Sequence, residues 1–230
     1  MEPRPPETPL PPPLAELAAE VESCRRCPRL VAWREQVAAE RRAAFADQVY
    51  WGRPVAGFGD PAASVLVVGL APAAHGANRT GRIFTGDRSG DWLFRALWRA
   101  GYANQPTSTA RDDGLALNGA WVTAAVRCAP PQNRPTVGER DACLPYLERE
   151  LAALDRVRVV VALGGFAFGI VSSLAGLRPR PRFGHLAEVG LADGRVLLGS
   201  YHPSQQNTFT GTLTEEMFDR VFTRARQLAG

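Results

Sequence analysis

"SVLVVGLAPAAHG", residues 64–76, decides the reading of the fold. Its first six residues form an apolar, valine-rich run with no polar alternation. A strand of that kind is covered on both faces, as in a parallel sheet between helices. The small residues that follow suit a loop whose backbone comes close to a ligand. Three more runs match the first: "AWVTAAVRC" (120–128), "VRVVVALGG" (157–165) and "RVLLGSYHP" (195–203). Between them, apolar spacing predicts helices over about 89–100, 137–153 and 165–176, and a last one over about 214–228. Further helices are expected from Leu14 into Cys24 and across 29–45. "VYWGRPVAGFGDP" (49–61) reads as loop, punctuated by glycine and proline. Strands alternating with helices imply a parallel sheet between helix layers. Ligands of such sheets bind outside the carboxyl ends of the strands. Here three of the four runs end in polar or glycine-rich loops: "GLAPAAHG", "CAPPQNRP" and "YHPSQQN".

The chain has 230 residues, enough for one domain (14–230) behind an extension. That extension, residues 1–13, holds seven prolines and little to bury, so a disordered, polyproline-type tail is expected. No apolar run approaches the roughly 18 residues of a membrane span. The start lacks the apolar core of a signal peptide, so the expected compartment is the cytoplasm. No membrane partner is expected, and the expected state is a monomer. The formal charge of +4 is a mild lean towards polyanions. All 27 basic residues are arginine. With no lysine amine, covalent imine chemistry would fall to the terminal amine.

Four cysteines carry a second signal. Cys24 and Cys27 form C-x-x-C, Cys128 ends a strand, and Cys143 lies in a helix fifteen residues on. Disulfides do not fit a cytosolic protein. A four-thiolate site does, holding either zinc or a [4Fe-4S] cluster. One close pair plus two distant singles tilts the spacing towards iron–sulfur. Such a site would clip the N-terminal helix to the loop after the second strand.

The strand-end loops hold the candidate chemistry. His202 directly follows a strand, and Ser204, Gln206 and Asn207 are short polar groups suited to phosphates and base edges. Asn133 and Arg134 stand on a proline-stiffened loop. In "GRIFTGDRSG" (81–90), Phe84 between glycines is a stacking platform for a flat ring, and Asp87 or Ser89 can cap the helix that follows. His185 reads as structural and His75 as a weaker candidate.

Taken together, "GLAPAAHGANRTGRIFTGD", "VRCAPPQNRPT" and "YHPSQQNTFTGTLT", with cysteines at this spacing, resemble the family 5 uracil-DNA glycosylases of bacteria and archaea. The resemblance covers nearly everything from residue 20 onward. It implies a three-layer α/β/α sandwich with a four-stranded parallel sheet. It also implies a [4Fe-4S] cluster on Cys24, Cys27, Cys128 and Cys143, and removal of deaminated bases from DNA. Most uracil glycosylase families carry an acidic or amide residue in the first loop, where Leu70, Ala71, Ala73 and Ala74 stand here. Several carry a uracil-reading asparagine at the place of Ala124. Both departures match family 5 and point to substrates beyond uracil, such as hypoxanthine and xanthine.

On this reading Gly69, Ala71, Ala73, His75, Phe84 and Ala124 line the base pocket. His202 donates to the departing base, and the resemblance makes Asn133 the ligand of the attacking water, with Asp87 and Asn78 as secondary candidates. Gln206 takes the place of the helix wedge. Arg82, Arg88, Ser89, Arg134, Ser204 and Asn207 are expected DNA contacts. The competing reading is a non-catalytic iron–sulfur or zinc damage sensor, which would not need three loops at neighbouring strand ends.

Overall fold

A computed structural model describes residues 10–230. Residues 1–9, most of the proline-rich tail, lie outside the described residues. The tail's last prolines open a helix instead: α1 spans Pro12–Ser23, two residues before the expected start. Proline suits the first helical turn because its missing N–H has no partner there. Leu14, Leu17 and Val21 face inward from α1, and α2 (Pro28–Glu40) buries Leu30, Val31, Arg34 and Val37. Cys24 and Cys27 occupy the break between the two helices.

Six strands form one sheet. They are β1 (Phe58–Gly59), β2 (Val65–Gly69), β3 (Ala120–Ala124), β4 (Val159–Leu163), β5 (Glu188–Gly190) and β6 (Val196–Ser200), in the order β1-β3-β2-β4-β6-β5. The four inner strands are parallel, as the four apolar runs predict. The sheet is nevertheless mixed, because β1 and β5 add short antiparallel edges. These two or three residues lie outside any apolar run, and β5 is largely exposed, so burial left no mark on their sequence. Every residue of β2, β3 and β4 is buried.

The sheet divides two cores by its period of two. On one side Val65, Val67, Val122, Val159 and Val161 meet α4 (Arg88–Arg99) and α8 (Glu215–Ala229). On the other, Leu66, Val68, Trp121, Val160 and Ala162 meet α1, α5 (Val137–Ala153) and α6 (Gly165–Leu174). The result is the expected three-layer α/β/α arrangement. Two short helices sit in stretches read as loop: α3 (Ala77–Thr80), after the first strand-end loop, and α7 (Gln205–Phe209), capped by Ser204. Among the described residues no helix is long and apolar enough to cross a membrane.

Candidate active site

Because the four inner strands are parallel, Gly69, Ala124, Leu163 and Ser200 reach the same edge of the sheet. Beyond Ala124 the backbone still pairs: Ala125 and Val126 donate to the carbonyls of Gly69 and Leu70, both at 3.0 Å. The second strand-end loop therefore leaves the sheet alongside the first.

Phe84 and His202 meet over this edge. Their ring centroids lie 5.9 Å apart with the planes tilted by 33°. Phe84 is buried and holds a left-handed backbone at φ +53°. For a bulky side chain that conformation is strained by about 1–3 kcal/mol, and such strain concentrates at functional sites. Gly69 makes room for the ring, since a Cβ there would come within 2.6 Å of Phe84 Cζ. Ala124, paired in register with Gly69, is buried and keeps the floor of this edge small and apolar.

His202 is held from behind. The Asn207 side-chain amide donates to its carbonyl at 2.9 Å, and Ser204 accepts from the Asn207 N–H at 3.3 Å. Loss of hydration on burial pulls the imidazole pKa down to about 4, so the ring is neutral at pH 7. Asn207 and Ser204 thus shape the His202 turn, and both are half-exposed.

Asp87 restores a carboxylate to the first loop, whose own sequence lacks one. It caps α4, accepting from Gly90 N at 3.0 Å and from the Ser89 N–H. Its carboxyl group rests against Gly76, where any side chain would collide with it. Burial raises its pKa, partly offset by those backbone donors.

Two expected site residues are placed elsewhere. Asn78 is fully buried and its amide donates to the Arg34 carbonyl at 3.2 Å, bracing α2, while its Oδ1 is buried without a partner. Arg82 is no DNA contact: it is buried in an ion pair with Asp113 at 2.8 Å and donates to Ser108, Thr85 and the Arg111 carbonyl. Its Nε and both terminal nitrogens are engaged inside the protein, and the group is buried rather than presented to a phosphate. His75 stays in the first loop, half-buried, with Nδ1 3.1 Å from the Tyr50 hydroxyl. Burial first, then Arg42 and Arg79, lower its pKa. Ala71 and Ala73 are half-buried in the same loop, Ala71 packing towards the thiols.

Asn133, Arg134 and Gln206 are exposed at the loops of this edge. Asn133 follows Gln132 in a second consecutive left-handed conformation (φ 56° and 54°), and Arg29 anchors the loop by donating to the Arg134 carbonyl at 3.1 Å. No hydrogen bond or aromatic contact joins Asn133 to Phe84 or His202 among the described residues. Arg88, also exposed, lies over the Phe209 ring at 4.3 Å, and Ser89 is half-buried in the first turn of α4.

The four cysteines converge. Cys24, Cys27, Cys128 and Cys143 line one small cavity together with Arg34, Arg127 and Tyr146. Arg34 is 2% exposed and donates to Cys128 Sγ at 2.9 Å and to the Cys24 carbonyl at 3.2 Å. Its nearest carboxylate, Glu35, stands 4.0 Å off and is exposed, and the Arg34 Nε is buried without a partner. The Arg127 N–H points at Cys143 Sγ at 3.5 Å, while its side chain is spent on a buried ion pair with Glu150 at 2.6 Å. Burial pushes the Cys128 thiol up to about 12, and those of Cys27 and Cys143 upward as well. Among the described residues, no three acidic, histidine or cysteine side chains gather tightly enough to grip a single ion. Arg34 and Phe209 were not singled out by sequence. The one had only its place in a helix, and the other only an aromatic in a polar run.

Residues 56–226 match the family model described as the uracil DNA glycosylase superfamily. Three type-5 uracil-DNA glycosylases are similar over most of the chain. That of Mycobacterium tuberculosis is 56% identical over 220 residues, covering 94% of this chain and 82% of the relative. That of Mycobacterium leprae is 56% identical, covering 94% and 96%, and that of Thermus thermophilus is 54% identical, covering 90% and 94%. The chain belongs to the uracil-DNA glycosylase superfamily and, within it, to the type-5 branch.

Proposed function

We propose that this chain excises uracil, and with it hypoxanthine and xanthine, from DNA by hydrolysing the N-glycosidic bond of an extruded nucleotide. The observation that carries this reading is the Phe84–His202 pair: a strained aromatic and a neutral imidazole facing each other at the strand ends. Extrusion costs a few kcal/mol, least at a mismatch, so deaminated bases arrive partly unpaired. Phe84 stacks on the extruded ring, which any base can offer. As the glycosidic bond breaks, its electron pair stays with the base. Neutral His202 donates a hydrogen bond to the base oxygen where that charge grows, a contact worth about 2.7–4 kcal/mol in comparable sites. The sugar left behind is electrophilic at C1′, and a water held by Asn133 adds there. Its proton passes to Asp87 or to solvent.

With no lysine in the chain, imine chemistry would fall to the terminal amine alone, and the reading is a monofunctional enzyme that leaves an abasic site intact. The four thiols fit a [4Fe-4S] cluster better than zinc. The C-x-x-C pair and two distant single cysteines line a shared cavity, and Arg34 sets a buried positive charge against Cys128. When bound, such a group supplies a covalent clip between the α1–α2 break, the extension of β3 and α5. Its redox chemistry has no place in the hydrolysis.

Duplexes carrying one uracil, hypoxanthine or xanthine test the reading. The expected result is alkali-labile sites at the lesion and no protein–DNA adduct after borohydride. Binding without base release would support the damage-sensor alternative, and a borohydride-trapped adduct would contradict the monofunctional mechanism.

A further inference from the structure

The segment carrying Phe84 and the segment carrying His202 meet twice. They meet at the ring pair itself, and again where Arg88 lies 4.3 Å over the Phe209 ring. Phe209 ends the five-residue helix α7 and is 67% exposed. It contributes nothing to the core that α7 would need, because no residue of that helix is buried. Arg88 is exposed too, and no carboxylate lies within ion-pair distance of it among the described residues. Its neighbours Arg95 and Arg99 on the same helix both pair with Glu215. A surface phenylalanine and an unpaired arginine, stacked on each other beside a site for an extruded nucleotide, are a costly arrangement without a partner.

We propose that Arg88 and Phe209 form a composite platform for the DNA duplex next to the extruded nucleotide. This rests on the glycosylase reading above. Seated over the ring, the guanidinium makes no hydrogen bond among the described residues, which leaves its N–H groups for the oxygens of a flanking phosphate. The free face of Phe209 packs on a base or deoxyribose of the opened step, as apolar side chains do when they prop a kinked duplex. The occupant is double-stranded DNA. A single strand has no paired step to prop open, so it would use the platform less.

Equilibrium anisotropy with an abasic duplex, at several salt concentrations, tests this in the full-length protein. Phe209→Ala is expected to weaken abasic-duplex binding roughly 5- to 150-fold, the span of one base–aromatic stack, and Phe209→Leu to weaken it less. Arg88→Ala is expected to reduce the slope of log K against log salt by about 1. Because the two side chains act as one unit, the double variant should lose less than the product of the single losses. Single-turnover excision should fall further on duplex than on single-stranded uracil DNA in Phe209→Ala. Melting temperature confirms that each variant is folded, and the Leu variant stands in if Ala is not. Wild-type affinity and duplex-to-single-strand ratio in folded Phe209 variants, or a wild-type salt slope in folded Arg88→Ala, would overturn the platform. A wild-type protein that neither releases uracil nor prefers abasic DNA would instead overturn the glycosylase reading on which it rests.

Discussion

The loop edge and the thiol corner treat polar groups in opposite ways. At the edge, Asn133, Gln206 and Arg88 are exposed, and Phe84 is strained. At the corner, Arg34 and Arg127 are 2% exposed; their terminal N–H groups go to sulfur, carbonyl, hydroxyl and carboxylate, while both Nε atoms are buried without a partner. The difference separates a surface left open at the strand ends from one closed around its own buried contacts. It also explains the empty chemistry of the first loop. That loop supplies room, through Gly69 and Gly76, and its neighbours supply the working groups.

Substitutions at the two regions should therefore separate stability from turnover. The largest stability effect is expected at Arg34. Breaking a buried charged contact typically costs about 3–5 kcal/mol, which in a chain of this length lowers the melting temperature by roughly 6–20 °C. Arg34→Gln should do so, with iron content falling in parallel. An unchanged melting temperature and iron content would put Arg34 outside the corner's framework. At the edge, His202→Ala should cut single-turnover excision about 100- to 1000-fold, with a smaller fall in melting temperature than Arg34→Gln gives. If excision holds, the base departs without an imidazole donor.

A smaller effect, and a sharper one, belongs to Gly69→Ala. The added Cβ must displace Phe84 from its present seat, and overpacking of this kind costs about 1–3 kcal/mol. Slower excision of every base alike is the expected signature, because stacking does not discriminate among rings. Selective loss of uracil alone would instead make Gly69 a reader of base identity.

What could be read from the sequence follows what burial imprints on it. The four inner strands are legible because two covered faces demand unbroken valine and leucine runs. The edges β1 and β5 demand neither and leave no trace. The four thiols are legible because few other arrangements explain C-x-x-C with two distant partners. Arg82 and Asn78 were misplaced for one reason: their partners, Asp113 and the Arg34 carbonyl, are 31 and 44 residues away in the chain. A polar residue in a loop reads as available until the fold shows what it bonds. Asp87 is the converse case, legible as a helix cap and returned to the first loop only by the tertiary structure.

The neutral donor at the strand ends depends on the protonation state of His202, which NMR of the imidazole carbons and nitrogens can follow through a pH titration. Only three histidines contribute signals. A folded pKa of about 4 against an ordinary 6.5 means the unfolded chain binds the proton first. Stability from this group is then complete above pH 6.5 and lost as pH falls towards 4. The predicted result is a neutral ring down to about pH 5, with protonation near pH 4. A His202 that titrates clearly above pH 7 would place an imidazolium against the departing base, and the mechanism of a neutral donor would be wrong.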